Sequence, residues 1–128
     1  MEMQYKIQSS KSYVDTIAAL KEELAKEQFG VLWELNFKDK LQEKGLEFNT
    51  NFNVMEVCNP VKAKEVLDTN IEAGYFLPCK VVVYEKDQSV WMGMLKPTSL
   101  IALLEQDDLY QIASEVENTI KTAMENAK

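Results

Sequence analysis

Histidine and arginine are absent from the 128 residues. Without histidine there is no Ser-His-Asp triad, no His-ligated zinc centre and no HExxH metalloprotease. Without arginine there is no planar fork to clamp a carboxylate or phosphate with two parallel hydrogen bonds. Glycine and proline are scarce, at four and three residues, which excludes a low-complexity or disordered chain. Two cysteines are too few for a disulfide scaffold, and a chain of this length buries enough surface to fold without one. No apolar run approaches the roughly 20 residues of a membrane span; the longest, Cys79 to Tyr84, is broken by Lys80. The start, Met1 to Ile7, has neither the basic stretch nor the apolar core of a secretory signal. The expected location is therefore the cytoplasm, with reduced thiols. Glycine-rich phosphate loops, G-x-S-x-G elbows and C-x-x-C pairs are also missing, so no motif supports an enzyme class.

What is present is an acidic chain of ordinary globular composition. It is 46% hydrophobic and 27% charged, with 21 acidic residues against 14 lysines and a net charge of −7. That balance argues against a partner that presents phosphates, whether nucleic acid or an anionic membrane. One domain over residues 1–128 fits the length.

Periodicity gives the elements. Tyr5 to Ser9 alternates as a strand. Ser12 caps a helix in which Tyr13, Ile17, Leu20 and Leu24 recur at helical spacing. Phe29 to Asn36 returns to period two, with Phe29, Val31, Trp33 and Leu35 on one face and Leu32 and Glu34 on the other. Phe37 to Lys44 reads as a short helix stopped by Gly45. Phe52 to Cys58 is a strand, and Asn59-Pro60 opens the next helix. Residues 70–77 read as a connector. Cys79 to Tyr84 and Ser89 to Leu95 form a hairpin across a turn at residues 85–88. Thr98 or Ser99 is expected to cap a short helix. Asp107 or Asp108 is expected to open a long one, with Leu109, Ile112, Val116, Ile120 and Met124 along its buried stripe. The expected fold is α+β: a mostly antiparallel five-stranded sheet under two long helices, with short extra helices.

The Cys58-Asn59-Pro60 run, and Leu77-Pro78-Cys79 leading into Val81-Val82-Val83-Tyr84-Glu85, resemble the prokaryotic family labelled domain of unknown function 302. So do the strand ends Trp33-Glu34-Leu35-Asn36-Phe37 and Leu95-Lys96-Pro97. The resemblance implies a TBP-like β-α-β4-α layout, usually as a dimer, and implies no activity.

Four residues stand out for chemistry. Cys58 ends a strand just before a helix N-terminus, whose positive end favours a thiolate. Cys79 begins the next strand, and an antiparallel pairing would bring the two thiols together. They then serve as packed small hydrophobes, as a redox pair, or as weak soft-metal ligands completed by carboxylates or a second subunit. Asn59 caps the helix at Pro60 or contacts a ligand. Glu34, set in an apolar strand, is a candidate acid or base if its face is buried, and gains weight if Glu56 shares that face. On the hairpin, Met92 and Met94 point one way and Trp91, Gly93 and Leu95 the other. Both faces are apolar, so the one away from the helices needs cover.

The reading is a homodimeric cytoplasmic domain that binds a small ligand or a partner. The alternative is a thiol-redox or soft-metal-handling protein using Cys58 and Cys79. No cofactor is named by any residue pattern.

Overall fold

Alternation begins the fold at β1 (Gln4–Ser9), which turns Tyr5, Ile7 and Ser9 inward and Gln4, Lys6 and Gln8 outward. The computed structural model describes residues 2–128. Helix α1 (Tyr13–Lys26) starts at Ser12, whose side chain accepts from the Asp15 amide at 3.1 Å. There follow β2 (Gly30–Asn36), α2 (Phe37–Glu43), β3 (Phe52–Cys58) and α3 (Pro60–Thr69). A 3-10 helix (Ile71–Phe76) leads into the hairpin of β4 (Cys79–Lys86) and β5 (Ser89–Leu95). Helix α4 (Pro97–Ile101), a short 3-10 turn (Ala102–Leu104) and the long α5 (Asp107–Ala127) complete the chain.

The five strands form one antiparallel sheet in the order β1-β5-β4-β3-β2. Helices α1 and α5 pack on each other and cover one face. Leu20 and Leu24 of α1 and Ile120 and Met124 of α5 meet Met55, Val81, Val83, Met92 and Met94 of the sheet, all buried. The α+β architecture with two long covering helices is the expected one. A second apolar cluster joins Val66, Ala73, Ile101, Leu109 and Ala113 beyond the sheet end. The hairpin closes through Asp87 and Gln88, at φ of 53° and 65°. Two successive left-handed residues match the twist of the flanking strands.

Three local expectations are corrected. The connector at residues 70–77 is helical, because Asn70 caps it by accepting from the Glu72 amide at 3.0 Å. Neither Thr98 nor Ser99 caps α4: Lys96 holds that position without a side-chain bond, whereas α5 opens at Asp107 as expected, following Gln106. The Thr98 hydroxyl is drawn away to the buried Glu117, donating to its Oε1 at 2.6 Å. The third correction concerns β2. Its register against β3 shifts between Val31 and Trp33, so Val31 faces Val57 while Trp33 faces Glu56. One extra residue, Leu32, bulges out. Phe29 and Val31 therefore lie on the helix side, whereas Trp33 and Leu35 lie on the opposite side with Glu56 and Val54.

Candidate functional site

The strongest site is a cavity of about 50 Å³ where β3 ends and β4 begins. Local chemistry builds its rim. The Asn59 Oδ1 accepts from the amides of Val61 at 3.0 Å and Lys62 at 3.2 Å, and Pro60 occupies the first turn. This cap aims α3 across the sheet end, with Ala63 and Val66 toward the cavity. Phe76 and Leu77 close one side, and Leu100 and Ile101 of α4 close another. Ala113 and Val116 of α5 form the roof, and Phe29 and Val57 the floor.

Antiparallel pairing brings Cys79 opposite Val57, one residue from Cys58, and both cysteines line this cavity. They are free thiols. Burial pushes the Cys58 thiol up from its ordinary value. Burial, and then the nearby Cys58, push the Cys79 thiol up to about 11. The direction is opposite to the one expected from the helix N-terminus. Desolvation of the thiolate outweighs the dipole, whose first amides already bond to Asn59. At neutral pH both groups are protonated and weakly nucleophilic. Among the described residues no three His, Cys, Asp or Glu side chains gather so as to hold a metal ion.

Asn59 thus joins the two cysteines, while Glu34 stands apart. The bulge at Leu32 puts Glu34 opposite Met55 on the helix side of the sheet. There its two oxygens accept from Lys21 of α1 at 2.6 Å and from the buried Asn53 at 2.8 Å. Burial would raise its carboxyl, but the bonds from Lys21 and Asn53 and the Lys21 charge hold it below the ordinary value. It is a structural anion at neutral pH. Glu56 lies on the other face, opposite Lys80, so the two glutamates form no carboxylate pair.

Sequence reasoning missed Lys62, which stands at the cavity edge; Lys80 adjoins it through its strand, with its side chain on the opposite sheet face across from Glu56. Lys62 follows Asn59 by three residues, one helical turn, so the signal was there. The remaining walls come from segments far apart in sequence.

The sheet face away from α1 and α5 carries a row of aromatic rings. Phe37 meets Phe52 edge-on at 6.1 Å, and Phe52 stacks on Tyr84 at 5.1 Å. Tyr84 is paired across the hairpin with Trp91, over which Lys6 sits at 5.2 Å. Trp33, Leu35, Val54 and Val82 extend this apolar surface, and Trp33 is 47% exposed. Among the described residues no helix is long and apolar enough to cross a membrane.

The fold has a relative of known structure. The crystal structure of the uncharacterized conserved protein DUF302 from Bacillus stearothermophilus is similar along its whole length: 40% identity, 100% of each chain covered, and a TM-score of 0.96. No curated protein matches the chain. The family model for domain of unknown function DUF302 matches residues 5–127, and with that span the chain belongs to the DUF302 family.

Proposed function

We propose that this DUF302 domain is a homodimeric, cytoplasmic small-ligand-binding protein whose ligand occupies the cavity at the β3–β4 end of the sheet. The carrying observation is the cavity itself, lined mostly by apolar side chains, with Cys58, Asn59, Lys62 and Cys79 among them. Concave, mostly apolar space with a few polar groups is the usual form of a small-molecule site. The thiols serve as soft, neutral walls. A redox or soft-metal role for Cys58 and Cys79 draws support from their shared cavity, but burial holds both thiols protonated and disfavours either chemistry. The dimer reading rests on the aromatic sheet face, where Trp33 and Phe37 are exposed beside Phe52, Tyr84 and Trp91.

A native mass spectrum of the protein as isolated tests both parts. The expected species is two chains with a bound mass that is lost on unfolding. A single chain at micromolar concentration would remove the dimer. A fully bare protein that also takes up no apolar probe would remove the ligand site.

A further inference from the structure

The sheet face away from α1 and α5 holds a larger concavity, an open groove of about 890 Å³ over β1, β5 and β4. Alternation decides what points into it: Gln4 and Lys6 of β1, Gly93 and Leu95 of β5, and Val82 and Tyr84 of β4. The register sets Lys6, Gly93 and Val82 side by side in one row. Gly93 is the low point of that row. A Cβ there would come within 3.1 Å of Val82 Cγ2 and 3.9 Å of Tyr84 Cε1, so its absence opens the floor beside the tyrosine ring. Phe52 stacks on Tyr84 from the β3 side, at 5.1 Å and 16°, and the other face of that ring is turned to β5. Among the described residues no ring stacks on this second face. Trp91, its partner across the hairpin, lies instead under the Lys6 ammonium at 5.2 Å.

The charge lining this groove is mainly positive in a chain of net charge −7. Lys6, Lys80 and Lys86 line it, and none of them makes an ion pair among the described residues. The nearby carboxylates are Glu56, Glu85 and Asp87. Glu56 stands opposite Lys80. Glu85 alternates with Tyr84 to the helix side, where Asn51 donates to it at 2.7 Å. Asp87 lies in the hairpin turn. Lys6 is parted from Glu56 by β5 and β4 and has only Gly93 across from it, so its ammonium is uncompensated. A free aromatic face beside an unpaired ammonium, over an apolar floor, suits a flat ring that carries one negative charge. The acidity of the chain and its lack of arginine work against a polyphosphate or a nucleic-acid strand. The groove is also of the usual size for small-molecule clefts, about 300–1,000 Å³. We infer that it binds flat aromatic carboxylates, with the ring over Gly93 against Tyr84 and the carboxylate at Lys6. This site is separate from the cavity at the β3–β4 end, and the exposed Trp33 and Phe37 lie outside it, toward β2.

Cinnamate and its neutral isostere cinnamamide, titrated into the ¹⁵N-labelled protein, test this. Amide shifts at Lys6, Val82 and Gly93 report the groove, and those at Val57 and Ala63 report the cavity. Cinnamate is expected to saturate the groove shifts at a concentration about threefold or more below cinnamamide, the size of one exposed charge pair. Lys6→Gln should erase that preference and leave cinnamamide binding unchanged. Tyr84→Leu removes the stacking face and should weaken both ligands about fivefold or more. Gly93→Ala raises the floor and should weaken both as a second variant. Equal binding of the two ligands, insensitive to Lys6→Gln, would overturn the carboxylate assignment. Binding untouched by Tyr84→Leu and Gly93→Ala, or no groove shifts at all, would overturn the groove as the site; shifts confined to the cavity would do so and leave the cavity reading standing. Groove amides that move on dilution of the ligand-free protein would give this face to a second copy and overturn the ligand site.

Discussion

Tyr13 sits at the start of α1 with its hydroxyl buried and without a hydrogen-bond partner among the described residues. Burial first, then the charges of Asp39, Glu85 and Glu34, push this phenol up to about 12. The ring packs against the main core, so the apolar part of the side chain is useful and the hydroxyl costs free energy. Tyr13→Phe keeps the ring and deletes the orphan. An unsatisfied buried polar group costs about 1–3 kcal/mol, so urea unfolding of Tyr13→Phe should show stability unchanged or raised by about 1 kcal/mol. A clear loss would mean the hydroxyl has a partner in solution. The same logic of desolvation explains the two cysteines. Their types and their nearness were readable from the sequence, since antiparallel neighbours bring a strand end beside the next strand's start. Their protonation state was not, because it depends on how far neighbouring segments exclude water.

At the level of elements, local rules carried well where the interaction is local. Asn59-Pro60, Ser12 and Gly45 mark helix ends through bonds and dihedrals confined to a few residues, and each acts as expected. The β2 strand shows where such rules stop. Alternation identifies a strand but is blind to an extra residue that its partner strand skips, and Leu32 is such a residue. A one-residue slip moves every later side chain to the other face, which is why Trp33 leaves Phe29 and Glu34 arrives beside Lys21. A double-mutant cycle on Lys21→Ala and Glu34→Gln measures this directly. The pair is partly exposed, at 40% and 33%, so the expected coupling is modest, about 0.2–1 kcal/mol. Zero coupling would fit an unbulged strand with Glu34 on the far face. The cavity was illegible for a related reason. Its walls come from α3, the 3-10 helix, α4 and α5 closing on one sheet end, and no short window of sequence contains that meeting.

Over the whole molecule, two electrostatic effects act on stability with opposite signs. The net charge of −7 repels itself at neutral pH, and acidification toward the pI of about 4.7 relieves that repulsion. Against it stand carboxylates that the fold holds ionised. Glu117 is the most buried of them, at 7% exposure, and it ties α5 to α4. Burial would raise its carboxyl, but the Thr98 hydroxyl and amide and then Lys121 bring it below the ordinary value of 4.5. Glu34 is held low by Lys21 and Asn53. A carboxyl whose folded value is depressed binds fewer protons folded than unfolded, so its stabilisation is complete above about 4.5 and is lost as pH falls through the folded value. Stability should therefore be flat or rise slightly from pH 7 toward 5, then fall below about 4.5. Glu117→Gln separates the two effects. It removes hydrogen bonds to a charged acceptor, with an expected loss of about 1–3 kcal/mol at pH 7. As the pH falls through the folded value the wild-type carboxyl is neutralised as well, so denaturant curves of the two proteins should draw together as the pH is lowered. Curves that stay parallel from pH 7 to pH 3 would mean that the bond from Thr98 does not depend on the charge of Glu117, and would assign acid unfolding to the remaining carboxylates.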